Sequence, residues 1–465
     1  MTLIEARPAA ESGLRREISN AVLAVAVVAA LAVVSWHVYA IPIKAPYYGL
    51  FHNDVDQYVY TAGGEAVRYG VSLYDTPVFF EMEFTYTPFA ALLFVAFTLT
   101  VPVVAKTVWW VAILLALTAL VAVSLRSLRY PNTMRTWVFA FALAVACTAL
   151  EPVRSTLWLG QINIFLVLLV VWDLTRRRGA ALHGAGVGLA TGIKLTPAFF
   201  LVYLACTRQW RALGIASAAF AATVGIGFLI RPTDSTTYWS RQFDAAGRVG
   251  PVDSPANQSV NGLLAQLLRH YDVERYAVQG NSDTIVYVPP TWMWLGVAVP
   301  FVVLGLAAAV RAYRADRILL SITLAGMTSA CASPFSWGHH WVWFVPLFVL
   351  ALHHARTTRH WWLPLTVALI AFCWWWNYPD RPPIRDAPHP IGLGLFMLPR
   401  DDLPAWWSPL AVPLYAGCYL LLFAATAVYV LTRPRSPADA DYATGPGGHR
   451  RGDTVPGLPA TSSPQ

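Results

Sequence analysis

The sequence predicts an all-α polytopic membrane protein, and three observations carry that prediction. Of its 465 residues 57% are hydrophobic and only 12% charged, against roughly 25% charged in ordinary soluble domains. Apolar stretches approaching the ~20 residues that cross a bilayer recur along the chain. The arginines gather where those stretches end, as the positive-inside bias requires. A β-barrel would instead alternate in segments of about ten residues. The net charge of +8 forms no continuous basic surface with interleaved aromatics, which excludes nucleic acid as a partner. It reads as topology and as contact with anionic lipid head groups.

The elements follow in order from the arginine clusters. Taking Arg15/Arg16, Arg126/Arg129/Arg135, Arg176–Arg178, Arg208/Arg211, Arg311/Arg314/Arg317, Arg356/Arg359 and Arg433/Arg435 as cytoplasmic places spans at about 18–41, 104–125, 136–151, 162–174, 181–194, 195–206, 212–230, 290–310, 318–333, 341–354, 361–377 and 410–432. That is about twelve transmembrane helices, with both termini inside. No cleavage site of small residues follows Arg15 and Arg16, so the first stretch reads as a retained span. Residues 86–103 are apolar enough to cross, but a crossing there would invert every later loop. Bracketed by Pro88 and Pro102, they read as a re-entrant or interfacial segment on the outer side.

Gly184, Gly188 and Gly192 recur every four residues, the pattern of a close helix-packing face. A nucleotide loop is excluded there, because no strand precedes and no ribose-binding acid follows. The five cysteines (Cys147, Cys206, Cys331, Cys373, Cys418) lie in apolar runs with neither disulfide nor zinc spacing. The tail 436–465, rich in Pro, Gly, Ser, Thr and Asp, is expected to be disordered. Residues 1–435 then form one unit with long polar loops on its outer face, at 42–85, 151–161, 231–289, 334–340 and 378–409. A transporter would place polar residues near the midplane, often in inverted repeats. Polar residues concentrated at one face favour interfacial chemistry.

The candidate chemistry lies in those loops. In Asn53-Asp54-Val55-Asp56-Gln57-Tyr58-Val59-Tyr60 a carboxylate within reach of a hydroxyl can act as general base; a solvated loop with aspartates capping a helix is the plainer reading. Two acids at i and i+2 do not face one point on a helix, so one of them is structural. Glu151 and Arg154 stand one turn apart and either pair or leave Arg154 for a phosphate or sugar hydroxyls. Lys194, between two apolar spans, is a functional candidate because uncompensated burial of a charge is expensive, and a compact cation suits a lipid-linked phosphate. His339-His340 can donate hydrogen bonds to a phosphate or sugar, whereas His353-His354 sit beside Arg356 at the opposite face. No metal site is expected, since no His pair at i and i+4 with a Glu is present. Asn257-Gln258-Ser259-Val260-Asn261-Gly262 offers amides suited to sugar hydroxyls, or a simple Asx-turn.

The ordered set of motifs resembles glycosyltransferase family 87, a group of GT-C membrane glycosyltransferases. It comprises Asp56-Gln57-Tyr58-Val59-Tyr60 with Gly63-Gly64 and Leu73-Tyr74-Asp75, Phe84-Thr85-Tyr86-Thr87-Pro88-Phe89, Gly160-Gln161-Ile162-Asn163, Ile193-Lys194-Leu195-Thr196-Pro197, Asn257-Gln258-Ser259, and Ser333-Pro334 through His339-His340. Within that family the chain is similar to actinobacterial polyprenol-phosphate-mannose-dependent α-mannosyltransferases. The resemblance implies a plasma-membrane enzyme with its site on the periplasmic face. Its donor would be a polyprenyl phosphate lipid carrying mannose, a co-substrate rather than a cofactor. Its acceptor would be a glycolipid such as a phosphatidylinositol mannoside or lipomannan, joined by transfer with inversion, with an α-1,2 linkage expected.

The resemblance also makes Asp56 the base and gives a site role to the pair His339/His340. Lys194 and Arg154 are the expected donor-phosphate ligands. Asp54, Tyr60, Gln161, Asn163, Asn257 and Gln258 are the expected acceptor and sugar contacts, with Asp54 the least clearly part of the pattern. Two other functions fit less of the sequence: transfer of arabinofuranose from a polyprenyl phosphate, and a lipid flippase.

Overall fold

The fold was analysed from a computed structural model of the chain, which describes residues 17–40, 43, 49–242, 250–280, 284–357, 362–374, 376–378, 391–397, 404 and 406–432. The tail 436–465, Arg15, Arg16, Arg359, Arg433 and Arg435, and most of the loop 378–409 lie outside the described residues.

The described residues are mostly helical, as expected from the composition. Among the described residues four helices are long and apolar enough to cross a membrane: α1 (Asn20–Ala40), α4 (Pro102–Ser127), α10 (Trp210–Ile230) and α13 (Thr291–Arg314). A fifth crossing forms if α17 (Ser408–Ala416) and α18 (Cys418–Thr432), bent by 75° between them, are taken together. The remaining apolar helices are shorter. They include α5 (Met134–Cys147), α7 (Asn163–Thr175), α9 (Phe199–Cys206), α14 (Ile318–Ala332), α15 (Phe344–Thr357) and α16 (Trp362–Cys373). The count of twelve full spans is therefore not reproduced by helix length. The clearest departure is the expected span 181–194, where α8 (Ala185–Ile193) has 9 residues, about 14 Å at 1.5 Å per residue. In the segment 86–103, α3 (Pro88–Phe94) and a 3₁₀ turn to Leu99 together measure about 20 Å, too short to cross, before α4 begins at Pro102.

Among the described residues there are also two short antiparallel strand pairs. β1 (Ala277–Gln279) pairs with β2 (Ile285–Tyr287), Val278 opposite Val286, and β3 (Trp376–Tyr378) pairs with β4 (Ile391–Leu393), Asn377 opposite Gly392. The core runs through the middle of the bundle, where Trp341, Phe344, Tyr419 and Phe423 are fully buried and Tyr419 meets Trp341 and Phe344 edge-on.

Two local arrangements place the site. The first is a helical hairpin of α7 and α8. The carboxylate of Asp173, fully buried near the end of α7, accepts from the N–H groups of Gly184 (2.9 Å) and Val187 (3.3 Å) at the start of α8 and pairs with Arg176. These are N–H groups a helix start leaves without internal partners, and a carboxylate there is favoured by the helix dipole. Gly184, Gly188 and Gly192 then face α10, where a Cβ on any of them would overlap Ala212, Ala216 or Thr223. The expected packing face is thus the contact between α8 and α10.

The second is the junction of α6 (Glu151–Leu159) with α7. Gly160 closes α6 in the left-handed region, φ 71°, with its N–H on Leu157 and Thr156, a helix stop that glycine adopts without strain. The indole of Trp109 donates to the Gly160 carbonyl at 2.7 Å. The turn directs Gln161 toward α2 (Val55–Tyr69), which buries Gln57, Val59, Tyr60, Gly63, Gly64 and Ala66.

Candidate active site

Asp56 lies in the first turn of α2, and Gln161 is its hydrogen-bond donor. The orientation of Gln161 is fixed by its other end. Its Oε1 accepts from the hydroxyls of Tyr60 (3.1 Å) and Tyr86 (3.4 Å), which are themselves 2.9 Å apart. An amide whose oxygen is held by two hydroxyls presents its NH₂ on the other side. Tyr60 also accepts from the backbone N–H of Ile162 at 3.3 Å, so α2 and the α6–α7 turn are joined at this point.

A second group of residues adjoins the first. Lys194 follows α8 in extended conformation, and its Nζ contacts Asn163 Oδ1 at 3.1 Å and His340 Nε2 at 3.2 Å. The ammonium also stands 5.2 Å from the centre of the Tyr86 ring, an attractive cation–π placement. Asn163 donates its Nδ2 to the His339 carbonyl at 3.0 Å, fixing the 3₁₀ turn Gly338–Trp341. The rings of His339 and His340 meet edge-on, 4.8 Å between centroids. Sequence positions from 56 to 340 thus converge around a half-buried carboxylate and a half-buried ammonium.

The electrostatics suit a base and a cation. Burial raises the Asp56 carboxyl from 3.8 to about 6, against the hydrogen bond from Gln161 and the charge of Lys194, which pull it down. Burial lowers both His339 and His340 well below the usual histidine value, and the charge of Lys194 lowers them further. A neutral His340 can accept from Lys194. Burial also raises the Tyr60 hydroxyl well above its ordinary value, helped by Tyr86 and Asp56, so it remains a donor. Among the described residues no group of three His, Cys, Asp or Glu side chains is arranged to hold a metal ion.

Asp54 is placed apart from Asp56. It is almost fully buried with φ 52°, its N–H bonded to the Trp158 carbonyl at 2.9 Å, and its carboxylate forms an ion pair with Lys106 at the start of α4. Its side chain does not cap α2; the Asn53 side chain accepts from Val55 instead. Arg154 is buried beside Glu151, whose carboxyl is pushed up to about 7 by burial while Arg154 falls to about 10 for the same reason.

Asn257 and Gln258 are fully buried and turned into the fold. Asn257 donates to the carbonyls of Val252 and Pro334 and accepts from Ser259 and from the Ser336 N–H at 3.0 Å. Gln258 donates to Pro255 and Ala416. They lock the 251–259 loop to residues 334–336, which leaves no polar atom of Asn257 for a sugar.

Two further residues belong to this region: Tyr86, given no role from sequence, and Glu151, read there only as a partner for Arg154. Tyr86 lies in the motif Phe84–Phe89, and its contact with Gln161 and Lys194 is a tertiary one. Glu151 accepts from the Tyr419 hydroxyl at 2.7 Å and sits against Gly338, where a Cβ would overlap its carboxylate. Glu151 and Tyr419 are 268 residues apart, a pairing that no local pattern announces.

Comparison with known proteins identifies the family. Residues 84–334 match glycosyltransferase family 87. A polyprenol-phosphate-mannose-dependent alpha-(1-2)-phosphatidylinositol pentamannoside mannosyltransferase of Mycolicibacterium smegmatis is 33% identical over 356 residues, 73% of this chain and 79% of that protein. A polyprenol-phosphate-mannose-dependent alpha-(1-2)-phosphatidylinositol mannoside mannosyltransferase of Mycobacterium tuberculosis is 31% identical over 391 residues, 74% of this chain and 86% of that protein. No solved structure matches the chain. With more than half of its length inside the family match and relatives of this identity and coverage, the chain belongs to glycosyltransferase family 87.

Proposed function

We propose that this glycosyltransferase moves mannose from polyprenyl-phosphate-mannose to a phosphatidylinositol mannoside or lipomannan acceptor, forming an α-1,2 linkage with inversion. The names of its relatives motivate the donor, the acceptor class and the linkage. The observation that carries the chemistry is the pairing of a half-buried carboxylate, Asp56, with a half-buried ammonium, Lys194, across the Gln161–Tyr86 contacts.

Inversion by direct displacement requires one base on the acceptor side. Asp56 takes the proton from the 2-hydroxyl of the terminal mannose as its oxygen bonds to the anomeric carbon of the donor. The bond from that carbon to the phosphate oxygen breaks, and the phosphate leaves as polyprenyl phosphate. Phosphate is already a good leaving group, so a cation that offsets its charge does more than an acid would. Lys194, oriented by Asn163 and His340, is that cation. His339 and His340 line the same side, while Arg154 stands behind the site and its charge favours the ionised form of Glu151. The membrane arrangement that fits is the GT-C one, a helical bundle in the plasma membrane with this site on the outer face.

The test uses purified protein in nanodiscs with polyprenyl-phosphate-mannose and a phosphatidylinositol mannoside. Asp56→Asn is expected to reduce turnover by about 10²–10⁴-fold, the range of a lost general base. A folded Asp56→Asn protein with near-normal turnover ends the assignment of the base. Polyprenyl-phosphate-arabinose offered in parallel distinguishes the sugar transferred, and linkage analysis of the product decides the bond.

A further inference from the structure

The end of the bundle away from Asp56 holds a cavity that the proposed reaction does not use. It has a volume of about 180 Å³ and is lined by Thr175, Arg176, Arg177, Arg178, Gln209, Tyr313 and Asp316, among others. It lies beyond the C-terminal end of α7, whose N-terminal residue Asn163 is in the active site. Twelve residues of helix separate Asn163 from Thr175, about 18 Å.

The three arginines are not equally engaged. Arg176 is committed to the fold, paired with Asp173 and donating to the carbonyls of Ala181 (3.1 Å) and Leu182 (3.0 Å). Its Nε–H is nevertheless buried with no acceptor among the described residues. Arg178 lies 4.6 Å from the centre of the Tyr313 ring and 3.8 Å from Asp316, in a pair whose two members are both exposed. An exposed pair at that distance contributes little. Arg177 is exposed, and its guanidinium has no ion pair or hydrogen bond among the described residues. Asp316, the one carboxylate lining the cavity among the described residues, does not neutralise this set.

The surroundings indicate the source of an anion. Trp172 and Trp210 are exposed; Arg176 lies over the Trp172 ring at 4.4 Å, and Trp210 directly follows the lining residue Gln209. Exposed tryptophans beside arginines at helix ends mark the level of the membrane–water interface. A basic pocket between helices at that level has the character of a head-group site.

The geometry points to the cavity between α7, α9, α13 and α14 as a binding site for the phosphodiester head group of an anionic phospholipid, with Arg177 and Arg178 as its principal ligands and Gln209 and Thr175 as neutral hydrogen-bonding groups. This lipid is distinct from donor and acceptor, since it occupies the opposite end of the bundle from Lys194.

Native mass spectrometry of the full-length protein in detergent tests the assignment, with phosphatidylglycerol, zwitterionic phosphatidylcholine and inorganic phosphate as probes. Wild type is expected to retain one phosphatidylglycerol in preference to phosphatidylcholine. Arg177→Gln is expected to weaken that retention about fivefold, as loss of one basic residue at an anionic surface does, and the double variant with Arg178→Gln to weaken it further. The Arg177 side chain holds no ion pair or hydrogen bond among the described residues, so its single variant remains informative if the double variant does not fold. Equal retention of both lipids by wild type, or equal phosphatidylglycerol retention by Arg177→Gln, overturns the proposal. Displacement of phosphatidylglycerol by millimolar inorganic phosphate overturns the lipid assignment in favour of a soluble anion.

Discussion

Gln161 helps set how readily Asp56 ionises, and so how strong a base it would be in the proposed reaction. Its amide hydrogen bond holds the Asp56 carboxyl down against burial, and the sum leaves it at about 6. A base must be ionised to act, so kcat/KM is expected to rise with pH through an acid limb near 6 and to level above it. Gln161→Leu removes the donor, and the limb is expected to move to higher pH with activity retained above it. A pH–rate profile of both proteins measures the shift, and an unmoved limb would detach Gln161 from the base. Lys194→Gln is expected to lower turnover and to move the same limb upward, because the ammonium also favours the carboxylate. At this scale the sequence separated Asp56 from Asp54 only through the family motif. What separates them physically is the left-handed backbone at Asp54 and its ion pair with Lys106, a partner 52 residues away that no spacing rule identifies. Asn257 and Gln258 misled for the opposite reason: an amide-rich turn reads the same whether its amides face a sugar or, as here, neighbouring carbonyls.

Among the elements, α8 was legible as an interface and illegible as a span. The four-residue glycine period marked its face against α10, whereas its length depended on the Asp173 stop at one end and Pro197 at the other. A side chain at Gly188 would meet the backbone of Ala216. Gly188→Val is therefore expected to destabilise the fold by about 1–3 kcal/mol through overpacking, read as a lowered thermal midpoint in detergent. The 251–259 lock gives a second expectation. Asn257→Ala leaves the Ser336 N–H without its side-chain acceptor, a loss of about 1–3 kcal/mol. The thermal midpoint should fall while KM for the acceptor stays close to wild type in the protein that remains folded. A raised acceptor KM at unchanged stability would return Asn257 to the sugar site.

For the whole molecule, hydropathy and arginine placement were enough to predict a helical membrane protein and to mark which loops are polar. They were not enough to count crossings, because half-length helices such as α8 and α9 have the composition of spans without their length. The side of the membrane remains an expectation of the arginine rule, and a cysteine in place of Asn132, between α4 and α5, examines it. Impermeant maleimide should label that cysteine only after the membrane is opened; labelling from outside intact cells would invert the arrangement.

The α7–α8 hairpin makes one distance a property of chain length. From Asn163 to Asp173 is ten residues, and from Gly184 to Lys194 is also ten; the two arms are pinned together where Gly184 meets Asp173. Each arm then rises about 15 Å, so Asn163 and Lys194 arrive level and touch. The position of the Lys194 ammonium is thus set by a ruler whose zero lies at the other end of the bundle. A single alanine inserted into α8 would advance Lys194 by about 1.5 Å and turn it by about 100°, with every side chain of the site still present. Such an insertion is expected to abolish turnover, and adding one residue to α7 as well would not restore it: the two arms would match again in height, but Asn163 and Lys194 would each be turned by about 100° from their present facing.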